Sequence, residues 1–103
     1  MIDIKGYEGR YAVTEDGRVW SHISQRFLKP NTNTKGYYYV NLFSNGKGRS
    51  FVVHRLVANA YIENPLSLPQ INHKDCDKLN NCVNNLEWCD NSANQIHAYK
   101  HGL

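Results

Sequence analysis

Residues 71–88 read Ile71-Asn72-His73-Lys74-Asp75-Cys76-Asp77-Lys78-Leu79-Asn80-Asn81-Cys82-Val83-Asn84-Asn85-Leu86-Glu87-Trp88, and this stretch decides the fold. Ile71-Asn72-His73 predicts a short strand that runs into a polar loop, Lys74 to Asn81. Leu86-Glu87-Trp88-Cys89 predicts a second short strand. Asp90, Asn91 and Ser92 all carry side chains that can cap a helix, so a last helix is expected to run to about Lys100, with Gly102 just past its end. Strand, loop, strand and helix together occupy about residues 70–101.

Upstream, the hydrophobic period changes. Leu56, Val57, Ala60 and Tyr61 form a stripe on one helical face, predicting a helix over 54–63 that stops at Asn64-Pro65. Before it lies a β-rich segment. Tyr11-Ala12-Val13 and Arg18-Val19-Trp20 flank the turn residues Glu15-Asp16-Gly17, and Phe27-Leu28-Lys29 ends at Pro30. Tyr37 to Phe43 is aromatic and β-branched, Ser44 to Gly48 contains the Asn-Gly pair of a tight hairpin, and Arg49 to Val53 is the returning strand. The expected fold class is α+β: a small N-terminal β-rich module with hairpins over 1–53, then a linking helix and a C-terminal strand–loop–strand–helix unit over 54–103. Of Tyr37, Tyr38 and Tyr39, alternation sends some outward, where a ring can stack on a base or complete the core. Leu86 and Trp88 are expected in the core.

The chain has 103 residues, enough for one domain with a modest core, and its 41% hydrophobic share excludes wholesale disorder. No run approaches the roughly 20 apolar residues of a membrane span, and the start, Met1 to Arg10, has no apolar signal region. Three cysteines cannot all pair within one chain, so reduced thiols in a cytoplasm are expected. The net charge of +3 hides an asymmetry. Residues 1–60 carry nine Lys and Arg against four Asp and Glu; residues 61–103 carry three against five. The basic half suits a polyanion. Its candidate phosphate contacts are Arg10, Arg18, Arg26, Lys29, Lys35, Lys47, Arg49 and Arg55, with Lys47 and Arg49 at the hairpin foremost.

Three positions carry the chemistry. His73 ends the first strand, Asn85 lies twelve residues later before the second, and Asn94 nine further on within the last helix. With the flanking Asn-His-Lys-Asp, Lys-Leu-Asn-Asn and Asn-Leu-Glu-Trp, this pattern resembles the HNH endonuclease family and its phage and intron-encoded subgroup. Gly6-Tyr7-Glu8-Gly9-Arg10-Tyr11-Ala12-Val13, with Asp16-Gly17-Arg18-Val19-Trp20-Ser21, is similar to the nuclease-associated modular element that often precedes such units. The start of the linking helix, Val53-His54-Arg55-Leu56-Val57-Ala58, is similar as well.

The resemblance implies a ββα-metal finger and a metal-dependent DNA endonuclease, with DNA, expected to be double-stranded, as partner. His73 would be the general base, because imidazole titrates near neutrality. Asn72 and Asn94 would be metal ligands through their amide oxygens, and Asn85 would position the loop that orients His73. The cofactor would be a divalent metal ion, Mg²⁺ or Mn²⁺. His97, one helical turn past Asn94, would contact phosphate, serve as an extra ligand, or simply pack or lie at the surface. One site would nick, and double-strand cutting would need a homodimer or repeated binding. Homing relatives often continue beyond this point into a helical DNA-binding region, so weak sequence specificity is expected of a chain that stops at Leu103. A phage origin would place the protein in the host cytoplasm.

This sequence departs from the family pattern in two places. Many relatives carry Asp or His where Asn72 stands, so the ligand brings no charge. Cys76 stands in a loop where relatives have Gly-Asn, although Asp75 and Asp77 can cap that loop. A non-catalytic DNA-binding or accessory module on a degenerate finger is therefore the alternative. A zinc protein ranks below both: Cys76, Cys82 and Cys89 are spaced C-x5-C and C-x6-C, not as C-x2-C pairs. His54 is expected to hydrogen-bond between the modules, and His22 and His101 to be solvated.

Overall fold

The fold is taken from a computed structural model that describes residues 1–90. The expected last helix, with Asn94 and His97, lies outside the described residues. The chain forms strands β1 (Ile2–Asp3), β2 (Tyr11–Val13), β3 (Val19–Ser21), β4 (Arg26–Phe27), β5 (Asn31–Thr32), β6 (Tyr38–Ser44) and β7 (Lys47–Val52). Helix α1 (Val53–Tyr61) and strands β8 (Gln70–His73) and β9 (Leu86–Cys89) follow. A single 3₁₀ turn, Val83–Asn85, leads into β9.

Among the described residues there are three small antiparallel sheets, β1-β2-β3-β4, β5-β6-β7 and β8-β9. The β6–β7 hairpin turns on Asn45 and Gly46, with φ of 54° and 76°. Positive φ at both positions matches the right-handed twist of the strands, and Asn and Gly tolerate it. The turn is thus tighter than the five-residue loop expected. Lys47 and Gly48 already belong to β7, paired with Ser44 and Phe43.

One hydrophobic core joins all three sheets to the helix. Val13, Val19, Leu42, Val53 and Val57 are essentially sealed from solvent, with Leu56 and Leu86 packed beside them. Each such side chain contributes about 1.5–3 kcal/mol by burial. The stripe of α1 supplies Val53, Leu56 and Val57 to this core, and Tyr61 ties the helix to β2 by donating its hydroxyl to Val13 O at 2.8 Å. The helix stops at Tyr61, before the expected Asn64-Pro65. Ile62 is already extended, and its carbonyl accepts the Trp88 indole N–H at 3.0 Å. A tertiary contact from β9 therefore fixes the helix end, and Trp88 lies half-buried against it. No helix among the described residues is long and apolar enough to cross a membrane.

Candidate active site

The β8–β9 pair sets the site. Its register places Asn72 opposite Glu87 and His73 opposite Leu86. Lys74 N–H donates to Asn85 O at 2.8 Å just beyond it, so the two strands part at Asn85. The intervening loop folds back on itself. Cys76 N–H donates to His73 O at 2.9 Å, Asp75 Oδ1 accepts Asp77 N–H at 2.8 Å, and Asp77 Oδ1 accepts Leu79 N–H at 3.0 Å. Asp75 and Asp77 thus cap the loop's own backbone. The permissive position is Cys76 itself, at φ 64°.

Asn85 closes this loop from beneath. Its Oδ1 accepts Asp75 N–H at 3.1 Å, and its Nδ2 donates to Asp75 Oδ1 and Asn80 O, both at 2.9 Å. An amide group that donates twice and accepts once, while buried, is a tether. Asp75 is held below the usual carboxylate range, first by the Asn80 amide, then by the Asp77 N–H and the Asn85 amide.

His73 is buried at the end of β8, and its Nε2 lies 2.9 Å from Asn81 Oδ1. An amide oxygen only accepts, so with Asn81 in this orientation the neutral ring is the Nε2–H tautomer, with its lone pair on Nδ1. Two rings flank it. Tyr37 stacks at 5.9 Å between centroids, and His54 meets it edge-on at 5.1 Å. Burial pushes His54 down to about 4, helped by the neighbouring His73 and Arg55. The expected inter-module hydrogen bond of His54 is not formed through Nδ1, which is buried without a partner among the described residues. Ring contacts with Tyr37 and His73 take its place. His22 is likewise not merely solvated, since its Nε2 lies 2.9 Å from Asp3 Oδ1.

Asn72 is buried and donates Nδ2–H to Glu87 Oε1 at 2.9 Å. A carboxylate accepts only, so this contact fixes the amide orientation and leaves Oδ1 as the oxygen available to another group. Asn72 Oδ1 is a hard oxygen donor, of a kind that suits Mg²⁺ and not thiolate-bound zinc. No three His, Cys, Asp or Glu side chains converge as a metal cluster among the described residues. The cysteines, all thiols, do not gather.

The basic residues fall into two groups. Arg18 is engaged: its guanidinium lies 3.0 Å from Asp16 Oδ2 and 4.1 Å over the Phe27 ring. Arg55 donates to Pro69 O at 2.8 Å. Arg26, Lys29, Lys47 and Arg49 are exposed, and Arg10 is half-buried. Arg26 and Lys29 line a cleft of about 340 Å³ with Phe27, Asn31 and Asn41. Lys35 holds Lys78, whose ammonium donates to the Lys35 carbonyl at 3.1 Å beside the Tyr37 ring.

Asn81 and Glu87 are site neighbours to which sequence reading gives no role of their own, and Tyr37 reads only as one of three strand tyrosines that can stack on a base or pack in the core. Only the Lys-Leu-Asn-Asn run hinted at Asn81.

The chain is similar to several known proteins. The NUMOD4 motif matches residues 2–43. The DNA endonuclease I-HmuI of Bacillus phage SP01 is 44% identical over 92 residues, covering 89% of this chain and 53% of that protein. An uncharacterised HNH endonuclease of Acanthamoeba polyphaga mimivirus is 44% identical over 90 residues, which is 87% of this chain and 27% of the other. The H-N-H endonuclease F-TflII of Escherichia phage T5 is 35% identical, covering 74% of this chain and 40% of that one. A solved structure of I-HmuI, described as binding and cleaving DNA, superposes with a TM-score of 0.89 at 40% identity, over 97% of this chain and 57% of the other. The chain thus spans about half the length of I-HmuI and less of the other two relatives.

Proposed function

The chain is a homologue of the HNH homing-type endonucleases, and on that premise we propose that it hydrolyses phosphodiester bonds in double-stranded DNA with His73 as general base. The observation that carries this reading is His73 itself: an imidazole at a strand end whose Nε2 lies 2.9 Å from the Asn81 Oδ1 acceptor, an arrangement that leaves Nδ1 to take a proton from water. The β8–β9 unit is read as the first two elements of a ββα-metal finger, and the basic β-rich segment as the part that meets the DNA backbone.

Asn72, through Oδ1, and Asn94 would hold a divalent cation, Mg²⁺ or Mn²⁺. When bound, such an ion stabilises negative charge on the phosphate and the leaving oxygen. The protein's own groups do the rest. Glu87 keeps the Asn72 amide turned one way, Asn85 shapes the loop after His73, and Tyr37 and His54 wall the imidazole. Asn94 and His97, as the second ligand and a phosphate contact, come from the resemblance. One site cuts one strand, so a monomer nicks, and a double-strand break takes two copies. The place of action on this reading is a host-cell cytoplasm.

Asn72 also favours a second reading, a DNA-binding module on a finger that has lost its metal charge. End-labelled duplex DNA separates the two. The nuclease produces nicks with 5′-phosphate and 3′-hydroxyl ends when Mg²⁺ or Mn²⁺ is present, and none with a chelator. Duplex that is bound and left uncut under all of these conditions supports the second reading.

A further inference from the structure

The N-terminal sheet reaches the site through one turn. Thr14 to Arg18, between β2 and β3, is stiffened from within: Gly17 N–H donates to Thr14 O at 3.1 Å and Arg18 N–H to Thr14 Oγ1 at 2.9 Å. Its outer side presses on residues 81–83. Val83 N–H donates to Glu15 O at 2.9 Å, and Cys82 Sγ lies 3.9 Å from Asp16 O. Gly17 sits so close to Asn81 that a Cβ there would lie 2.8 Å from Asn81 Cβ and 2.9 Å from its carbonyl oxygen. Gly17 also has φ +85°, so only glycine fits without strain or displacement. Asn81 is 4% exposed, with the turn on one side and His73 on the other.

We propose that Asn81, clamped by the Glu15–Gly17 turn, is the positioning residue that fixes the tautomer and ring orientation of His73. The proposal rests on the nuclease reading of His73. It gives the N-terminal β-rich segment a second task beside contacting DNA, that of bracing the base. The logic is that of an oriented histidine: a hydrogen bond at one ring nitrogen decides which nitrogen is free to act. Without Asn81, imidazole would exchange between tautomers and rotate about its side-chain bonds. Asn81 would touch neither DNA nor the reacting atoms.

The test uses the whole chain and two readouts. Imidazole ¹⁵N NMR, at a pH where His73 is neutral, reports which ring nitrogen carries hydrogen. Wild type should show the Nε2–H form, Asn81→Ala a mixture, and Asn81→Asp, which keeps an acceptor in nearly the same volume, the Nε2–H form again. Gly17→Ala, which pushes on Asn81 from outside the site, should shift the signal in the same direction as Asn81→Ala. Nicking of duplex should fall roughly 10- to 100-fold in kcat for Asn81→Ala with KM little changed, and recover in Asn81→Asp. Amide spectra of each variant establish that it is folded.

An Nδ1–H wild type, an Asn81→Ala chain that keeps the Nε2–H form, or an Asn81→Asp chain that behaves like Asn81→Ala overturns the proposal. Wild type that shows the tautomer but never nicks refutes the nuclease reading instead. Nicking that is indifferent to Asn81 refutes the positioning role alone.

Discussion

Asn72 and Glu87 face each other across the β8–β9 pair, joined by a 2.9 Å hydrogen bond from Nδ2 to Oε1. The bond has opposite consequences for the fold and for a cation. A neutral amide stabilises the strand pair beside a carboxylate, and the same neutrality weakens attraction for a divalent ion. Asn72→Asp reverses both. Without metal, two carboxylates face each other, and the variant should unfold more easily than wild type by about 1 kcal/mol. With Mg²⁺ added, its melting temperature should rise more than that of wild type, because an ion bound only by the folded state stabilises by mass action. Thermal unfolding with and without Mg²⁺ measures both, and equal Mg²⁺ shifts in the two proteins would contradict cation binding at residue 72.

Cys76 holds φ 64° in the loop after His73. A side chain with a Cβ is disfavoured there by about 1 kcal/mol, whereas glycine adopts that conformation freely. Cys76→Gly should therefore be neutral to stabilising by up to about 1 kcal/mol despite the greater entropy of the unfolded glycine chain, with nicking retained. Urea unfolding tests this, and a loss above about 1 kcal/mol would show that the half-buried thiol matters more than the backbone.

The buried His54 links stability to pH. Its folded value of about 4 lies below the ordinary imidazole value of 6.5. Between those values the unfolded chain takes up a proton that the folded chain refuses. The stabilisation is therefore complete above about pH 6.5 and is lost as pH falls towards 4. Partial exposure of the ring holds the expected loss to roughly 1–2 kcal/mol. Asp3, Asp16 and Asp75, all held below the usual 3.8, add acid lability only further down. Unfolding at pH 7.5 and 4.5 should show the loss in wild type and most of it gone in His54→Phe.

Binding to duplex DNA should divide the arginines. Lys47 and Arg49 are exposed on β7, and each one that meets a phosphate adds about one to the slope of log affinity against log salt. Lys47→Ala and Arg49→Ala should each flatten that slope by about one. Arg18→Ala should flatten it less, since Asp16 already neutralises that guanidinium. Salt titration by fluorescence anisotropy reads this, and a larger effect at Arg18 than at Lys47 would reverse the assignment.

The sequence carried the long-period features well and the short contacts poorly. Asn45-Gly46 and the aromatic run before it define the β6–β7 hairpin because turn chemistry and alternation agree. Leu56 and Val57 mark the buried face of α1 for the same kind of reason. The two-residue strands Ile2–Asp3 and Asn31–Thr32 have no period to read, since each exists only as an edge partner of a longer strand. The helix end moved because the Trp88 indole bonds to Ile62, a contact between residues 26 apart. At the site, the spacing of His73 and Asn85 was visible along the chain. The Asn81–His73 bond was not, because it spans an irregular loop with no period to read, and its bracing by Gly17 was not, because there a turn from the first sheet meets that loop more than sixty residues later.

The most direct measurement is relaxation of supercoiled plasmid by the purified chain in Mg²⁺ or Mn²⁺, beside His73→Ala and a chelator control. The account predicts that wild type converts supercoiled DNA to open circles, that chelator stops it, and that His73→Ala slows it roughly 10²- to 10⁴-fold while still binding the plasmid. Wild type that retards the plasmid on a gel and leaves it supercoiled, or His73→Ala that nicks as fast as wild type, would contradict it.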